Sequence, residues 1–259
     1  MITTSPAAVA AAISSVLFIA STNVATAAQI KVLSGSAIAT AMAVLIPQFE
    51  KSSGHKVAFD FDGAIGAMTD RVQKGEAADV VIVSGLQIEM LEKQGKVVSG
   101  SRTDIARVGV GLFVRKGAPK PDISSVEAFK RTMLAAKSIG WNDPAAGAPV
   151  SIYMIGVLER LGIADVMKSK TVAFKQRSER FEAVARGDVE IGFNQISEII
   201  AAQGVDLVGP LPAPIQNYTL FAGGIVATSK DQDAAKALIR FISSPVAQET
   251  WKSKGFDAP

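Results

Sequence analysis

Apolar positions along the chain follow two periods that alternate, which predicts short strands followed by helices. Residues 30–33 form an apolar run that predicts a strand, and Ile38, Met42 and Leu45 then recur at helical spacing. Residues 79–83 form a further strand of nearly continuous apolar character, which is typical of a parallel strand covered on both faces. Because strand-length and helix-length segments keep alternating, the pattern predicts an α/β fold with doubly wound, mostly parallel sheets.

Two of the predicted strands are unusually long, and each contains two glycines. They span residues 105–115 and residues 217–228. We expect both strands to cross between two lobes, because glycine allows the backbone to absorb a hinge rotation. This division predicts a discontinuous lobe I, residues 29–106 and 217–259, and a lobe II, residues 107–216. The cleft between the lobes would then be lined by strand ends and helix starts.

The segment Ser34-Gly35-Ser36 joins the first predicted strand to the first predicted helix. We expect Ser34 or Ser36 to cap that helix by accepting a hydrogen bond from a free backbone N–H group. The free N–H groups and the positive end of the helix dipole favour a small anion at such a position. Alternatively, the loop only turns the chain, as similar loops do in other α/β proteins.

Composition narrows the classes of partner and chemistry. The 259 residues carry a formal net charge of +3, with Lys and Arg scattered among Asp and Glu, which argues against a nucleic-acid partner. The chain has no cysteine, which removes disulfides and thiolate metal sites, and its one histidine, His55, lies in a predicted surface turn. Because the sequence has no P-loop, H-E-x-x-H or G-x-G-x-x-G motif, we predict no enzyme, no catalytic residue, no metal and no cofactor.

The first 28 residues have the character of an export signal. Residues 1–28 contain no charged side chain and include an apolar run at residues 7–20. That run has the length of a signal-peptide core and is short for a membrane span. The small-x-small sequence at residues 25–27 predicts a cleavage site. We therefore expect a signal peptide that directs the protein to the periplasm, with an uncleaved anchor or an unstructured tail as alternatives.

Three short motifs carry a family resemblance that covers nearly the whole chain after residue 28. They are G-E-A-A-D-V at residues 75–80, R-G-D-V-E-I-G-F at residues 186–193, and F-I-S-S-P-V-A-Q at residues 241–248. Through them the chain resembles the molybdate-type periplasmic solute-binding proteins of ABC transporters. The resemblance implies a two-lobe type II periplasmic binding fold, each lobe a mostly parallel sheet flanked by helices and joined to the other by two crossing strands. It also implies a monomer that captures a small anion and delivers it to an ABC permease.

The pocket positions that the resemblance implies depart from the family pattern. Ala37 stands where the family has a serine whose hydroxyl bonds the oxyanion. The second loop reads Gly63-Ala64-Ile65-Gly66 where the family has G-S-S-G, so both of its hydroxyls are absent. A hydrogen bond to a charged group contributes roughly 1.5–3 kcal/mol, so losing two donors would weaken oxyanion binding by roughly 3–6 kcal/mol.

Two further pocket positions also differ. Arg177 and Gln195 stand where the family has Val and Tyr. If it faces the cleft, the Arg177 guanidinium is a bidentate donor suited to a carboxylate, so we expect a small organic anion as ligand instead of molybdate. The candidate ligand-binding residues are Ser34, Gly35, Ser36, Ala37, Gly63, Ala64, Ile65, Ser151, Arg177 and Gln195. Two other functions stay open: a ligand-sensing protein that docks to a receptor, and a carboxylate-only enzyme on the same fold.

Overall fold

The computed structural model describes Met1 and residues 27–61, 65–146 and 149–259. Most of the predicted signal peptide, residues 2–26, therefore lies outside the described residues, as do the predicted ligand residues Gly63 and Ala64. Within the described residues, no helix is both long and apolar enough to cross a membrane.

Strands and helices alternate along the described chain, as the sequence pattern predicts. The strands are β1 Gln29–Ser34, β2 Lys56–Asp60, β3 Val80–Ser84, β4 Thr103–Arg115, β5 Ile139–Asn142, β6 Thr171–Phe174, β7 Ile191–Gln195, β8 Val205–Pro210 and β9 Tyr218–Ile225. The helices are α1 Ala39–Ser53, α2 Ile65–Gln73, α3 Gly85–Lys93, α4 Val126–Ala135, α5 Pro149–Arg160, α6 Ala164–Lys168, α7 Arg177–Arg186, α8 Ile196–Ala201, α9 Gln232–Ile242 and α10 Pro245–Ser253. Short 3-10 helices at Ser36–Ile38, Pro144–Ala146 and Ala213–Ile215 complete the described elements.

The strands form two sheets that share β4. In the first sheet β1 lies parallel between β2 and β3, and β9 pairs antiparallel with both β3 and β4. In the second sheet β5 lies parallel between β6 and β7, and the other half of β4 pairs antiparallel with β7 and β8. The change of partner falls between Gly109, which pairs with Tyr218 of β9, and Val110, which pairs with Gln195 of β7. β4 is therefore a crossing strand, and β9 enters the first sheet beside the point where β4 leaves it.

Each sheet is packed on both faces, as β3 illustrates. Val80 and Ile82 face a core built with helices α1, α9 and α10, whereas Val81 and Val83 face a second core built with α2 and α3. This arrangement explains the unbroken apolar run, because a strand covered on both faces has no solvent side. The buried members of these two cores fall before residue 109 or after residue 220, and those of the other two cores fall within 110–215. The predicted lobe boundaries would place each pair of cores in one lobe.

The glycines serve two different purposes. Gly75 and Gly187 end helices α2 and α7 with φ of +86° and +85°, which only glycine adopts readily. By contrast, Gly109 and Gly224 in the long strands do not have positive φ. A Cβ atom at Gly109 would lie 2.9 Å from Gln216 Nε2, and one at Gly224 would lie 2.7 Å from Val97 Cγ1. Close packing against Val97 therefore requires Gly224, whereas at Gly109 the crowding involves only the flexible end of Gln216. The role of both glycines in hinge rotation stays a prediction.

An ion-pair network ties the strands of the first sheet to the end of α2. Arg71 donates from Nη2 to Asp60 Oδ2 and from Nε to Glu76 Oε2, both at 2.6 Å. Lys31 on β1 donates to Glu76 Oε1 at 2.8 Å. The hydrogen bonds from Arg71, and then those from Lys31, lower the pKa of Glu76 from 4.5 to about 2. Because Asp60 is the last residue of β2, the network fixes the strand end that precedes the second predicted loop.

We predict that Glu76→Gln destabilises the protein in a pH-dependent way. The folded-state pKa is depressed, so the stabilisation from Glu76 is complete above about pH 4.5 and is lost as the pH falls toward about 2. For half-exposed ion pairs we expect a difference in unfolding free energy of about 1 kcal/mol at pH 7. Urea unfolding of the wild type and the variant at pH 7, 4 and 2.5 measures this difference in unfolding free energy. Glu182→Gln, at an exposed site on α7, is the matched control, and an equal Glu76→Gln effect at all three pH values would contradict the prediction.

Candidate ligand-binding cleft

Parallel pairing brings the end of β1, which leads into the first loop, close to the end of β2 and the start of α2. Ser34, at the end of β1, pairs with Ile82 of β3, and Leu33 pairs with Asp60, at the end of β2. The chain after β1 continues into α1 through a 3-10 turn, and the loop after β2 leads into α2. A Cβ atom added to Gly35 would lie only 2.8 Å from Ile65 Cγ1, the first residue of α2. The predicted pocket positions Gly35 and Ile65 therefore touch, and Gly35 has to be glycine.

In the second sheet, the strands β5, β6 and β7 also end at one edge, and a helix follows each of them. Asn142, at the end of β5, pairs with Phe174, at the end of β6. Helix α5, which follows β5 through a short loop, carries Ser151 in its first turn, and α7, which follows β6, begins at Arg177. β7 ends at Gln195, where α8 begins at once. Three predicted ligand residues thus follow three strand ends of one sheet, where open α/β sheets bind ligands.

A carboxylate joins the two edges. Ser36 Oγ of the first loop donates to Glu198 Oε1 of α8 at 3.4 Å, and Asn194 Nδ2 of β7 donates to Glu198 Oε2 at 2.6 Å. Sequence reasoning missed both Asn194 and Glu198. The available signal is a pair of polar residues, Asn194 and Gln195, that end an apolar strand, with a glutamate in the first turn of the helix that follows. The contact itself joins residues 162 positions apart.

This carboxylate changes the electrostatics expected for the cleft. An anion oxygen bonded to Ser36 Oγ at ~2.8 Å would lie within about 6 Å of Glu198 Oε1, which is itself 3.4 Å from that hydroxyl. Two unit negative charges about 6 Å apart repel by about 3 kcal/mol at an effective dielectric of about 20. A helix dipole contributes typically 0.3–1 kcal/mol, which does not offset that repulsion. An anion bound at Ser36 therefore needs hydrogen-bond donors or a nearby cation that offset the Glu198 charge.

The predicted helix caps are wrong. The residue that precedes the 3-10 turn is Gly35, and neither that turn nor α1 has a side-chain cap. Ser34 is fully buried, and its Oγ donates to the Ile82 carbonyl oxygen at 2.8 Å, so it ties β1 to β3. The physical reason is the 3-10 turn, which separates the two serines from the amides of α1. The Ser34 hydroxyl therefore acts in the sheet, while the Ser36 hydroxyl contacts lobe II.

The remaining predicted residues have different surroundings. Gln195 Nε2 donates to Thr219 Oγ1 at 3.0 Å, so this side chain connects the end of β7 to the crossing strand β9. Ala37 is buried in the lobe I core. Arg177 is the first residue of α7, and its contact with a ligand stays a prediction. His55 Nδ1 accepts a hydrogen bond from the Ala28 amide, and its ring stacks on Phe49, which is a structural role.

Four buried side-chain oxygen atoms in the described part of the chain have no hydrogen-bond partner. They are Thr40 Oγ1, Asn142 Oδ1, Ser151 Oγ and Ser197 Oγ. Thr40, Ser151 and Ser197 lie in the first turns of α1, α5 and α8, and Asn142 ends β5. A buried polar group without a partner costs about 1–3 kcal/mol, so each such hydroxyl calls for a partner such as a bound ligand or an ordered water. Of these four, sequence reasoning identified only Ser151.

A surface groove lies apart from this cleft, and the described residues form no cluster that could hold a metal ion. A shallow groove in lobe II, with a volume of about 480 Å³, is lined by residues 120–124 and 208–213. Its Asp122 carboxylate already accepts hydrogen bonds from the amide and hydroxyl of Ser124. No group of three or more histidine, aspartate or glutamate side chains among the described residues is arranged to hold a metal ion.

Comparison with known proteins shows what the chain is similar to. The family model described as bacterial extracellular solute-binding protein matches residues 30–257. An aconitate isomerase from a Pseudomonas species is 34% identical over 232 residues, which cover 86% of each chain. The molybdate-binding protein ModA of Azotobacter vinelandii is 30% identical over 242 residues, which cover 90% of this chain and 91% of that one.

A solved structure agrees with the architecture. The periplasmic molybdate-binding protein of Azotobacter vinelandii superposes with a TM-score of 0.71 at 21% identity, covering 89% of this chain and 99% of that one. At this identity the likeness concerns the fold alone. It confirms the expected type II periplasmic binding fold, with two sheets flanked by helices.

We predict that Ser151→Ala and Ser34→Ala shift stability in opposite directions. Ser151→Ala removes an unpartnered buried hydroxyl and should raise the unfolding free energy of the ligand-free protein by about 1 kcal/mol. Ser34→Ala removes a formed hydrogen bond and should lower it by about 1 kcal/mol. If Ser151 donates to the ligand, its loss should also weaken binding by about tenfold or more. Urea unfolding and titration calorimetry measure these effects, and a Ser151→Ala variant as unstable as Ser34→Ala would contradict them.

Proposed function

Because this chain belongs to the bacterial extracellular solute-binding proteins, we propose that its cleft captures a small organic anion with two or more carboxylates. The protein then delivers that anion to an ABC permease, acting in the periplasm after export. The family membership rests on a match over residues 30–257. Ligand class, permease, export and site residues are our proposals, and the arrangement of strand ends and helix starts supports the choice of site residues.

The contact between Ser36 and Glu198 is the observation that carries the choice of ligand. A metal oxyanion such as molybdate is small and fully ionised. Whichever of its oxygens bonds to Ser36, its whole negative charge would lie close to the Glu198 carboxylate. A polycarboxylate distributes its charges over groups several ångströms apart. One carboxylate can therefore bind at a helix start while a neutral part of the molecule passes Glu198.

Two further observations support an organic ligand. The family's two hydroxyls in the second loop are replaced by Ala64 and Ile65, which removes hydrogen-bond donors and adds apolar surface. In addition, the relative that is 34% identical is named for aconitate, a small unsaturated tricarboxylate. The 30% identical relative is named for molybdate. The substitutions at the pocket positions favour the first of these two ligand classes for this chain.

The proposed mechanism is capture followed by closure. The ligand contacts helix starts from both sheets, so it has more partners when the lobes are together than when they are apart. A ligand shifts a conformational equilibrium only through this difference in affinity. We propose that β4 and the segment entering β9 carry the rotation, because β4 changes partners between Gly109 and Val110. The closed form would be the one that docks to the permease.

Catalysis is the second candidate function, and the aconitate isomerase similarity favours it. Moving the double bond of an unsaturated carboxylate needs only a base. The base removes a proton from the methylene group beside the double bond, the bond shifts, and a proton returns at the other end of the three-carbon unit. In such a reaction Glu198 would be the base, because its carboxylate contacts the first loop and accepts a hydrogen bond from Asn194.

We predict that polycarboxylates, and not molybdate, stabilise the protein in a thermal-shift panel. A ligand at a hundred times its dissociation constant contributes about 2.7 kcal/mol. For a chain of this size that corresponds to an increase in melting temperature of about 5 °C or more. The panel contains citrate, tricarballylate, succinate, sulfate, tungstate and molybdate, each also checked by calorimetry. Submicromolar binding of molybdate, together with no shift from any carboxylate, would refute the proposed ligand class.

Proton exchange in D₂O distinguishes binding from isomerisation. For a binding protein we expect cis-aconitate to stay unchanged, with no deuterium at its methylene carbon, when followed by NMR in the presence of stoichiometric protein. Deuterium incorporation together with formation of trans-aconitate would instead establish the second candidate. Glu198→Gln would then abolish both signals, whereas Glu159→Gln, at an exposed position near the end of α5, would leave them unchanged.

A further inference from the structure

We propose that Gln216 is a positioning residue whose side-chain amide joins the two chain segments that cross between the sheets into one pivot. The first segment is β4, and the second is the return segment, residues 211–217, which connects β8 to β9. This inference rests on the proposed function, since the pivot sets how the two ligand-binding edges face each other. Gln216 exerts this role through the backbone of Val110, without contact with the ligand.

The backbone of Val110 lies where β4 changes its partner. Gly109 pairs with β9 and Val110 pairs with β7. Val110 is 97% buried, so its N–H and C=O groups need partners within the protein. Gln216 supplies a partner for each of them. The Val110 N–H donates to Gln216 Oε1 at 2.9 Å, and Gln216 Nε2 donates to the Val110 carbonyl oxygen at 3.0 Å.

This pair of bonds has the form of a strand pair. In an antiparallel ladder, two hydrogen-bonded residues exchange both of their N–H···O bonds. A glutamine amide has an acceptor oxygen and a donor nitrogen, as a peptide group does, so Gln216 takes the place of a strand residue opposite Val110. The same amide accepts from the Asn217 N–H at 2.8 Å and donates to the Leu211 carbonyl oxygen at 3.4 Å. One side chain therefore ties both ends of the return segment to β4.

Backbone bonds support the same junction. The Leu211 N–H donates to the Val110 carbonyl oxygen at 3.1 Å, and the Val110 N–H also donates to the Asn217 carbonyl oxygen at 3.3 Å. Both bonds are longer than those that Val110 makes with Gln216. They remain when the side-chain amide is removed, so we expect a variant without it to fold.

The amide of Gln216 lies directly against Gly109. A Cβ atom added to Gly109 would lie 2.9 Å from Gln216 Nε2 and 3.1 Å from Gln216 Cδ. A side chain at position 109 would therefore displace the amide from Val110. Because Gly109 does not have a positive φ, alanine fits its backbone conformation. Gly109→Ala thus acts on the same junction as the loss of the Gln216 amide.

Two further side-chain bonds connect this pivot to the predicted ligand-binding edge. The Tyr153 hydroxyl donates to the Ile215 carbonyl oxygen at 2.9 Å, and Tyr153 lies two positions after Ser151 in α5. Gln195, at the end of β7, donates to Thr219 Oγ1 of β9 at 3.0 Å. A shift of the return segment relative to β4 would therefore move the start of α5 relative to the end of β7.

A single pivot limits the ways in which the two sheets can turn relative to each other. Hinges absorb a rotation at a few residues near the ends of elements. Because Gln216 joins the two crossing segments, they turn together, and the ligand-free protein samples fewer arrangements. Binding then loses less conformational entropy, which increases affinity without any new contact to the ligand.

The test measures the radius of gyration by small-angle X-ray scattering and the citrate affinity by titration calorimetry. Gln216→Ala and Gly109→Ala should each give a larger ligand-free radius of gyration than the wild type. Each should bind citrate about fivefold or more weakly, with a less favourable binding entropy. The double variant should match Gln216→Ala, because the truncated side chain leaves room for the new Cβ atom. Gln94→Ala removes an exposed side chain that accepts a hydrogen bond from Gln73, and it should change neither quantity.

The outcomes separate the pivot from the function on which it rests. A folded Gln216→Ala with the wild-type radius of gyration would overturn the inference, whether or not citrate binds. So would a double variant in which the two effects add, or an enlarged radius with unchanged citrate affinity. If citrate does not bind the wild type but both variants enlarge the ligand-free radius, the ligand class is wrong and the pivot is supported. A merely structural role for Gln216 would lower the unfolding free energy in urea and leave the radius and the affinity unchanged.

Discussion

Parallel strand pairing is the constraint on which the rest of this structure depends. β1 lies between β2 and β3, and β5 lies between β6 and β7, with every one of these pairs parallel. Parallel strands end at the same edge of their sheet, and the helices that follow must begin there. Because β4 belongs to both sheets, it holds the two edges on one continuous strand. The position of the cleft follows from this topology before any pocket side chain is considered.

Within that cleft, the side chains determine which small anion fits. Helix starts and buried hydroxyls favour negative charge in general and do not distinguish molybdate from an organic acid. In the function proposed here, Glu198 contributes to the distinction, because it accepts hydrogen bonds from Asn194 and from Ser36 of the first loop. The Glu198 carboxylate beside the first loop is expected to weaken the binding of fully ionised oxyanions. The replaced hydroxyls of the second loop act in the same direction.

The sequence predicted the fold more completely than the site, for a physical reason. The apolar run of β3 and the helix-ending Gly75 are local signals, and the structure confirms both. The serine caps failed because the partner of Ser34 is a carbonyl on another strand, 48 residues away. Glu198 was missed because its contact with Ser36 joins residues 162 positions apart and exists only after both sheets have formed. Local patterns determine elements, whereas long-range contacts determine which hydroxyls are left for a ligand.

A crystal structure of the protein grown with citrate tests the central claim most directly. We predict electron density for the molecule between the two sheet edges, with its carboxylates at the starts of helices that follow strands of both sheets. Density only in the surface groove at residues 120–124 and 208–213, or a cleft that remains empty while molybdate fills it in a parallel crystal, would contradict this account.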